Sequence, residues 1–288
     1  MKEELISFAK RNGIDIIGFT TPEPFEEYIE ELEKRKAFYL ERYAHRIEKW
    51  KRFAQPLRVL PQARTLIIIG FYYGAKPKAP PAHGEIAGIV LYGHLGIIQK
   101  TRLLCEFLRE KGFYAVPGIH RKSSVVRAGL GYYGKHGLVI HKTYGSWVAY
   151  QCIATDAELE PDKESIDDAC GSCTLCMDAC PTSAIYEPGK IDPRRCLSYL
   201  LTGRDFPPQF LEKTGKRILG CDLCQEVCPK NRSVPEKNEK ESLLPPEFTF
   251  PSLKKLLTMD DREYMEVFEY VSVKFINCLL YTSPSPRD

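Results

Sequence analysis

Eight of the eleven cysteines in this chain fall between residues 170 and 228, and their spacing limits the fold more than any other feature. Cys170, Cys173, Cys176 and Cys180 follow an x2-x2-x3 order that ends on Pro181. Cys221, Cys224 and Cys228 repeat it without the first cysteine and end on Pro229, with Cys196 lying between the two runs. A cubane iron–sulfur cluster needs four thiolates around a compact core. Short x2 spacings let one tight loop supply three of them, and the cysteine before proline reaches the other cluster. The expected ligand sets are therefore Cys170, Cys173, Cys176 and Cys228 for one [4Fe–4S] cluster, and Cys196, Cys221, Cys224 and Cys180 for a second. Eight cysteines would also suffice for two structural zinc sites, but zinc ligands come in pairs and do not follow this order.

The first run matches the bacterial ferredoxin pattern residue for residue. The remaining composition is that of an ordinary globular protein, 43% hydrophobic and 27% charged over 288 residues, enough for one large domain or two smaller ones. A net charge of +3 is too small by itself to imply nucleic-acid binding. No stretch approaches about 18 uncharged apolar residues, so no membrane partner is expected. Met1-Lys2-Glu3-Glu4 lacks the basic-then-apolar start of a signal peptide. A cytoplasmic location is expected, where thiols stay reduced and disulfides are disfavoured. Cys105 and Cys152 stand alone in apolar surroundings and are expected in the core. The tail from Cys278-Leu279-Leu280-Tyr281-Thr282-Ser283 to Asp288 is one translation of TGTCTCTTATACACATCT and its in-frame continuation, which resembles a transposase sequencing adapter. Residues 278–288 are accordingly expected to be adapter, with the natural chain cut near Asn277.

Hydrophobic periodicity places a short helix at 4–11, a strand at 14–19, and a charged helical stretch from Pro24 to about Phe53. The β-branched run from Thr65 to Tyr73 reads as a strand buried on both faces. Pro77, Pro80, Pro81 and Gly84 mark a loop from 74 to 88, and a helix at about 95–111 ends at Gly112. Leu138-Val139-Ile140 and Trp147-Val148-Ala149-Tyr150 flank a turn and predict a hairpin. A boundary is expected near Pro161, where charge also shifts: residues 100–142 hold nine Lys/Arg against two Glu, and 151–180 hold eight acidic residues against one Lys. A basic segment there suits either a phosphorylated or RNA substrate or a solvated face.

The most unusual stretch ahead of the cysteines is Arg127-Ala128-Gly129-Leu130-Gly131-Tyr132-Tyr133-Gly134-Lys135-His136-Gly137. So many glycines imply tight turns or a close approach of backbone to something else. The run fits neither a dinucleotide fingerprint nor a phosphate loop.

Several motifs in order resemble the epoxyqueuosine reductase family: Ala128-Gly129-Leu130-Gly131-x-x-Gly134-Lys135, Gly145-Ser146-Trp147, Thr155-Asp156-x-Glu158-Leu159-Glu160-Pro161-Asp162 and Cys170-Gly171-Ser172-Cys173. Arg195-Cys196-x-Ser198-Tyr199-Leu200 and Gly220-Cys221-Asp222-x-Cys224-Gln225-Glu226-Val227-Cys228-Pro229 continue the likeness, which is dense from 127 to 231. The resemblance implies an α/β cobalamin-binding-type domain over 1–160, a ferredoxin-like double-cluster module over 161–235, and a truncated C-terminal segment over 236–277, in an α+β or α/β fold. It implies electrons passing from a reductase, ferredoxin or flavodoxin through the clusters to cobalamin, which reduces epoxyqueuosine in tRNA. It also gives the glycine run a role: Gly129, Gly131, Tyr133, Gly134, Lys135, Ser146 and Trp147 become the expected cobalamin contacts.

Two departures stand out. The family carries an aspartate, the presumed proton donor, about thirteen residues before its Ala-Gly-Leu-Gly. That position here is Ala115, and no carboxylate lies between Lys111 and Lys135, leaving His120 as a candidate by position. The family's tyrosine- and arginine-rich stretch before the 95–111 helix is reduced to Tyr92-Gly93-His94. Beside an epoxyqueuosine-reductase-like enzyme stand three alternatives: a paralogue with another substrate, a cobalamin-free electron-transfer protein, and a nucleic-acid-binding module with structural clusters.

Overall fold

The computed structural model describes residues 1–36, 47–75, 77–163, 170–201, 206–234, 249–258 and 260–264. The expected adapter and most of the C-terminal segment lie outside these residues. Among the described residues no helix is long and apolar enough to cross a membrane.

Helix α1, Lys2–Arg11, buries Leu5 and Ala9 and stops before Gly13, whose φ of +64° only glycine adopts freely. Strand β1 follows at Ile16–Thr20. The charged stretch after Pro24 carries α2, Glu26–Lys34, and α3, Ile47–Phe53, and residues 37–46 between them are outside the description. Strand β2, Thr65–Tyr72, is the predicted apolar run. The expected 74–88 loop contains a short strand β3, Glu85–Ile86. A π-helical turn at Ile89–Gly93 leads into α4, His94–Glu110. Then come β4 (Ala115–Pro117), α5 (Arg121–Arg127), β5 (Gly131–Tyr133), β6 (Val139–His141) and β7 (Val148–Thr155).

The main sheet has the order β1-β2-β7-β4, and every pairing in it is antiparallel. β2 and β7 pair along their full length, from Thr65 opposite Thr155 to Tyr72 opposite Val148. Alternation then divides β2 between two cores. Leu66 and Ile68 pack with Tyr28, Trp50 and Val125, while Ile67 and Ile69 pack with Leu104, Leu108 and Trp147. Both faces are covered, as the continuous apolar run requires, but by an antiparallel sheet, so the arrangement is of the α+β kind. Cys105 and Cys152 are buried in these two cores.

The predicted hairpin between 138–140 and 147–150 does not form. β6 pairs with β5 instead, and only a single bridge joins His141 to Gly145. Gly131 permits the pairing, because a Cβ there would lie 2.5 Å from the Ile140 carbonyl oxygen. β7 runs on to Thr155 as an inner strand, which takes Val148–Tyr150 away from β6.

The chain remains tied to the sheet through Asp162, whose amide donates to the Phe19 carbonyl at 2.8 Å and whose carboxylate accepts the Phe19 amide at 2.8 Å. The cysteine-bearing segment then adds α6 (Leu175–Asp178), β8 (Ile185–Glu187), β9 (Lys190–Ile191), α7 (Leu197–Leu200), β10 (Arg217–Leu219) and α8 (Leu223–Glu226). β10 pairs in parallel with β3, and Leu219 and Val234 join the core that holds Ile67 and Trp147. The cysteine segment therefore shares apolar contacts with the sheet.

Candidate active site

The tight turn in which the Cys173 amide donates to the Cys170 carbonyl at 3.0 Å opens the first cysteine run, and α6 carries Cys176. Cys170, Cys173 and Cys176 line one small cavity together with Cys228, from the far end of the second run. Cys180, the last cysteine of the first run, lines a larger cleft with Cys196, Cys221 and Cys224. Burial pushes the Cys176 thiol up to about 11, and Cys228, Cys170 and Cys173 nearby add to the effect. Burial likewise takes Cys221 to about 12 and Cys224 well above its ordinary value. Thiols so gathered would ionise only beside a positive charge, such as a bound metal ion would supply. Backbone also serves the sulfurs, since the Ala184 amide donates to Cys180 Sγ at 3.2 Å.

The larger cleft has a volume of about 260 Å³ and opens to the surface. The second cysteine group forms one wall, and β7 with the start of α5 forms the other. Three cations line it. Arg35 donates to the Ile191 carbonyl, Arg121 donates to the Tyr150 carbonyl at 3.2 Å, and Lys122 donates to the Gly137 carbonyl at 2.7 Å. The one carboxylate among the described lining residues, Asp222, is engaged in structure: it accepts the Gly88 amide at 2.7 Å and the Gln225 side chain at 3.1 Å. The cleft is thus net positive beside an apolar strand. Behind the lining residues Ser146 and Gln225, Asn231 accepts the Ser146 amide at 2.8 Å and donates to the Ser146 hydroxyl at 2.9 Å and the Gln225 carbonyl at 2.8 Å.

Of the residues expected at cobalamin, Ser146 lines this cleft and the others do not. Gly129, at φ +67°, terminates α5. Gly131 makes room for β6, and a Cβ on Gly134 would lie 2.7 Å from Ile140 Cδ1 and 2.8 Å from His136 Cε1. These glycines therefore close turns against protein. Lys135 donates to the carbonyls of Gly171 at 2.6 Å and Cys173 at 3.0 Å, holding the first cysteine loop. Tyr133 is buried with its hydroxyl 2.9 Å from that of Ser123, and Trp147 is a core residue packed edge-on to Tyr73.

Ala115 is buried in β4 opposite Thr155. His120 is also buried rather than exposed, stacked on Tyr28 with ring centroids 3.8 Å apart, and it does not line the cleft. Of the basic residues expected over 100–142, Arg121 and Lys122 line the cleft, while Arg127 donates to the carbonyls of Glu23 and Pro24. Sequence reasoning missed Arg35, His136, Tyr150 and Asn231. His136 lay inside the glycine run and so carried a signal, whereas the others reach the site only through distant chain pairings. Burial, helped by the charge of Lys122, holds the His136 imidazole down at about 4.

Residues 169–231 match the 4Fe-4S double cluster binding domain family. The epoxyqueuosine reductase of Staphylococcus aureus is 34% identical over 94% of this chain and 75% of its own length, and that of Bacillus subtilis is 35% identical over 94% and 74%. A crystal structure of an epoxyqueuosine reductase with an epoxyqueuosine-modified tRNA-Tyr stem loop is 33% identical with a TM-score of 0.83, covering 97% of this chain and 80% of that one. A catabolic reductive dehalogenase shares the fold at a TM-score of 0.56 and 18% identity, over 80% of this chain and 32% of its own. With a third of its residues shared over nearly its whole length, this chain belongs to the epoxyqueuosine reductase family.

Proposed function

We propose that this chain is an epoxyqueuosine reductase that acts on tRNA. In this reading Cys170, Cys173, Cys176 and Cys228 hold one [4Fe–4S] cluster, and Cys196, Cys221, Cys224 and Cys180 hold the second. Residues 1–160 carry the cobalamin and substrate surface, and 161–235 carry the clusters. The observation that carries the proposal is the cleft, walled on one side by the second cysteine group and on the other by β7 and the cations Arg35, Arg121 and Lys122. An apolar strand suits the flat face of a corrin, and the cations suit its amide carbonyls and phosphate or the phosphates of tRNA. A bound cobalamin would supply a strongly reducing metal centre in this cleft, as the resemblance to the family implies.

Removing an epoxide oxygen as water consumes two electrons and two protons. The electrons enter through the clusters from a reductase, ferredoxin or flavodoxin. Ala115 offers no proton, so the donor must face the cleft. Tyr150 lines it, and its hydroxyl is buried with no hydrogen-bond partner among the described residues. Burial raises its pKa and keeps it protonated. Arg121, held on the Tyr150 carbonyl, lines the same cleft and would offer its positive charge to a developing alkoxide.

The test is anaerobic expression of residues 1–277 with cobalamin supplied, followed by metal analysis and incubation with epoxyqueuosine tRNA and a reductant. About eight iron, eight sulfide and one cobalt per chain are expected, together with loss of one oxygen atom from the modified nucleoside. Eight iron without cobalt would overturn the cobalamin assignment in favour of an electron-transfer protein. Cobalt with no loss of oxygen would point to a different substrate.

A further inference from the structure

His136 lines both cavities, the small one of the first cysteine group and the larger cleft. Its side chain is only 2% exposed. Nδ1 accepts the Leu138 amide at 3.2 Å, so the proton of a neutral ring sits on Nε2. Nε2 is buried and has no hydrogen-bond partner among the described residues. A buried N–H left without an acceptor is costly, about 1–3 kcal/mol. Everything around the ring nevertheless holds it in place. The Gly137 amide donates to the Gly134 carbonyl and the Gly134 amide to the Leu138 carbonyl, both at 2.9 Å, closing a tight turn that directs the ring inward. Lys122 secures this turn at Gly137, and Lys135 ties it to the Cys170–Cys173 loop. The absent Cβ of Gly134 leaves the space that the ring edge and Ile140 occupy.

We propose that His136 Nε2–H donates a hydrogen bond to a sulfur of the first cluster and thereby sets that cluster's reduction potential apart from the second's. The proposal rests on the ligand assignment above. A hydrogen bond to cluster sulfur stabilises the reduced state, which carries one more negative charge. Gly134, one of the residues expected at cobalamin, here makes room for this donor.

The experiment compares wild-type chain with His136→Leu and His136→Gln by EPR-monitored redox titration, after iron and sulfide analysis. Cys176→Ala identifies which signal belongs to the first cluster. His136→Leu is expected to favour oxidation of that cluster by about tenfold, or ~59 mV more negative for one electron. The second cluster should be unmoved, and His136→Gln, which retains a donor, should recover most of the shift. Wild-type protein carrying 15N only in histidine should also show a weak 15N coupling to the reduced first cluster in pulsed EPR, a readout that needs no variant to assemble. Two clusters with an unmoved potential, or no 15N coupling, would overturn the role of His136. Absence of clusters from the wild-type chain would instead overturn the ligand assignment, and this inference with it.

Discussion

Gly145 has little freedom to change. Its φ is +58°, and a Cβ there would lie 2.0 Å from Asn231 Oδ1. Alanine would meet backbone strain and displace the side chain that holds the cleft-lining Ser146 and Gln225. Gly145→Ala is expected to lower stability by about 2–4 kcal/mol, read as a lower denaturation midpoint. Tyr150→Phe tests chemistry rather than packing. It removes one buried hydroxyl that no described residue accepts from or donates to, so metal content and stability should hold. Turnover should fall by about a hundredfold or more, and an unchanged kcat would remove Tyr150 from the reaction.

Between elements, two small devices hold the cysteine segment to the sheet. Asn231 clasps Ser146 beside β7, and Asp222 accepts the amide of Gly88 at the π-helical turn. Asn231→Ala leaves the Ser146 amide unpaired, while the Gln225 carbonyl keeps the Cys228 amide, and a loss of about 1–3 kcal/mol is expected, with faster hydrogen exchange at Ser146. The turn after β6 depends on His141, whose Nδ1 accepts the amides of Thr143 at 3.0 Å and Tyr144 at 3.3 Å. Burial holds this imidazole at about 4, below its ordinary 6.5. Between those values the unfolded chain binds the proton more readily, so stability falls as pH drops from 6.5 towards 4 and the contribution is flat below. The loss is on the order of 3 kcal/mol. His141→Asn, which keeps an acceptor without a titrating ring, should make that part of the pH profile shallower in urea melts, the slope that remains coming from His136. Elements whose signal is local were legible in the sequence: the apolar run of β2, the amphipathic α4, and the cysteine spacing. The β5–β6 pairing was not, because alternation shows that a strand exists and not which neighbour it meets. The glycines were legible as special positions, but the ring they accommodate becomes visible only once the turn is closed.

At the scale of the whole molecule, the cysteine segment and the sheet share one apolar core. Leu219 and Val234 of that segment pack in the core that holds Ile67 and Trp147. Chelating the iron anaerobically is expected to expose residues 170–234 to protease and lower the thermal midpoint, since metal binding is linked to folding. A thermal midpoint unmoved by chelation would show that the segment holds its shape through apolar contacts alone. The order β1-β2-β7-β4 has a consequence of another kind. β7 is the last of these four strands to leave the ribosome, yet it is the common neighbour of β2 and β4. Until Thr155 has emerged, a nascent chain presents two unfilled edges, one of them along the most apolar strand of the protein. Translation through this window is when the chain is most exposed to misassociation, and slow codons or a bound chaperone would have their largest effect there.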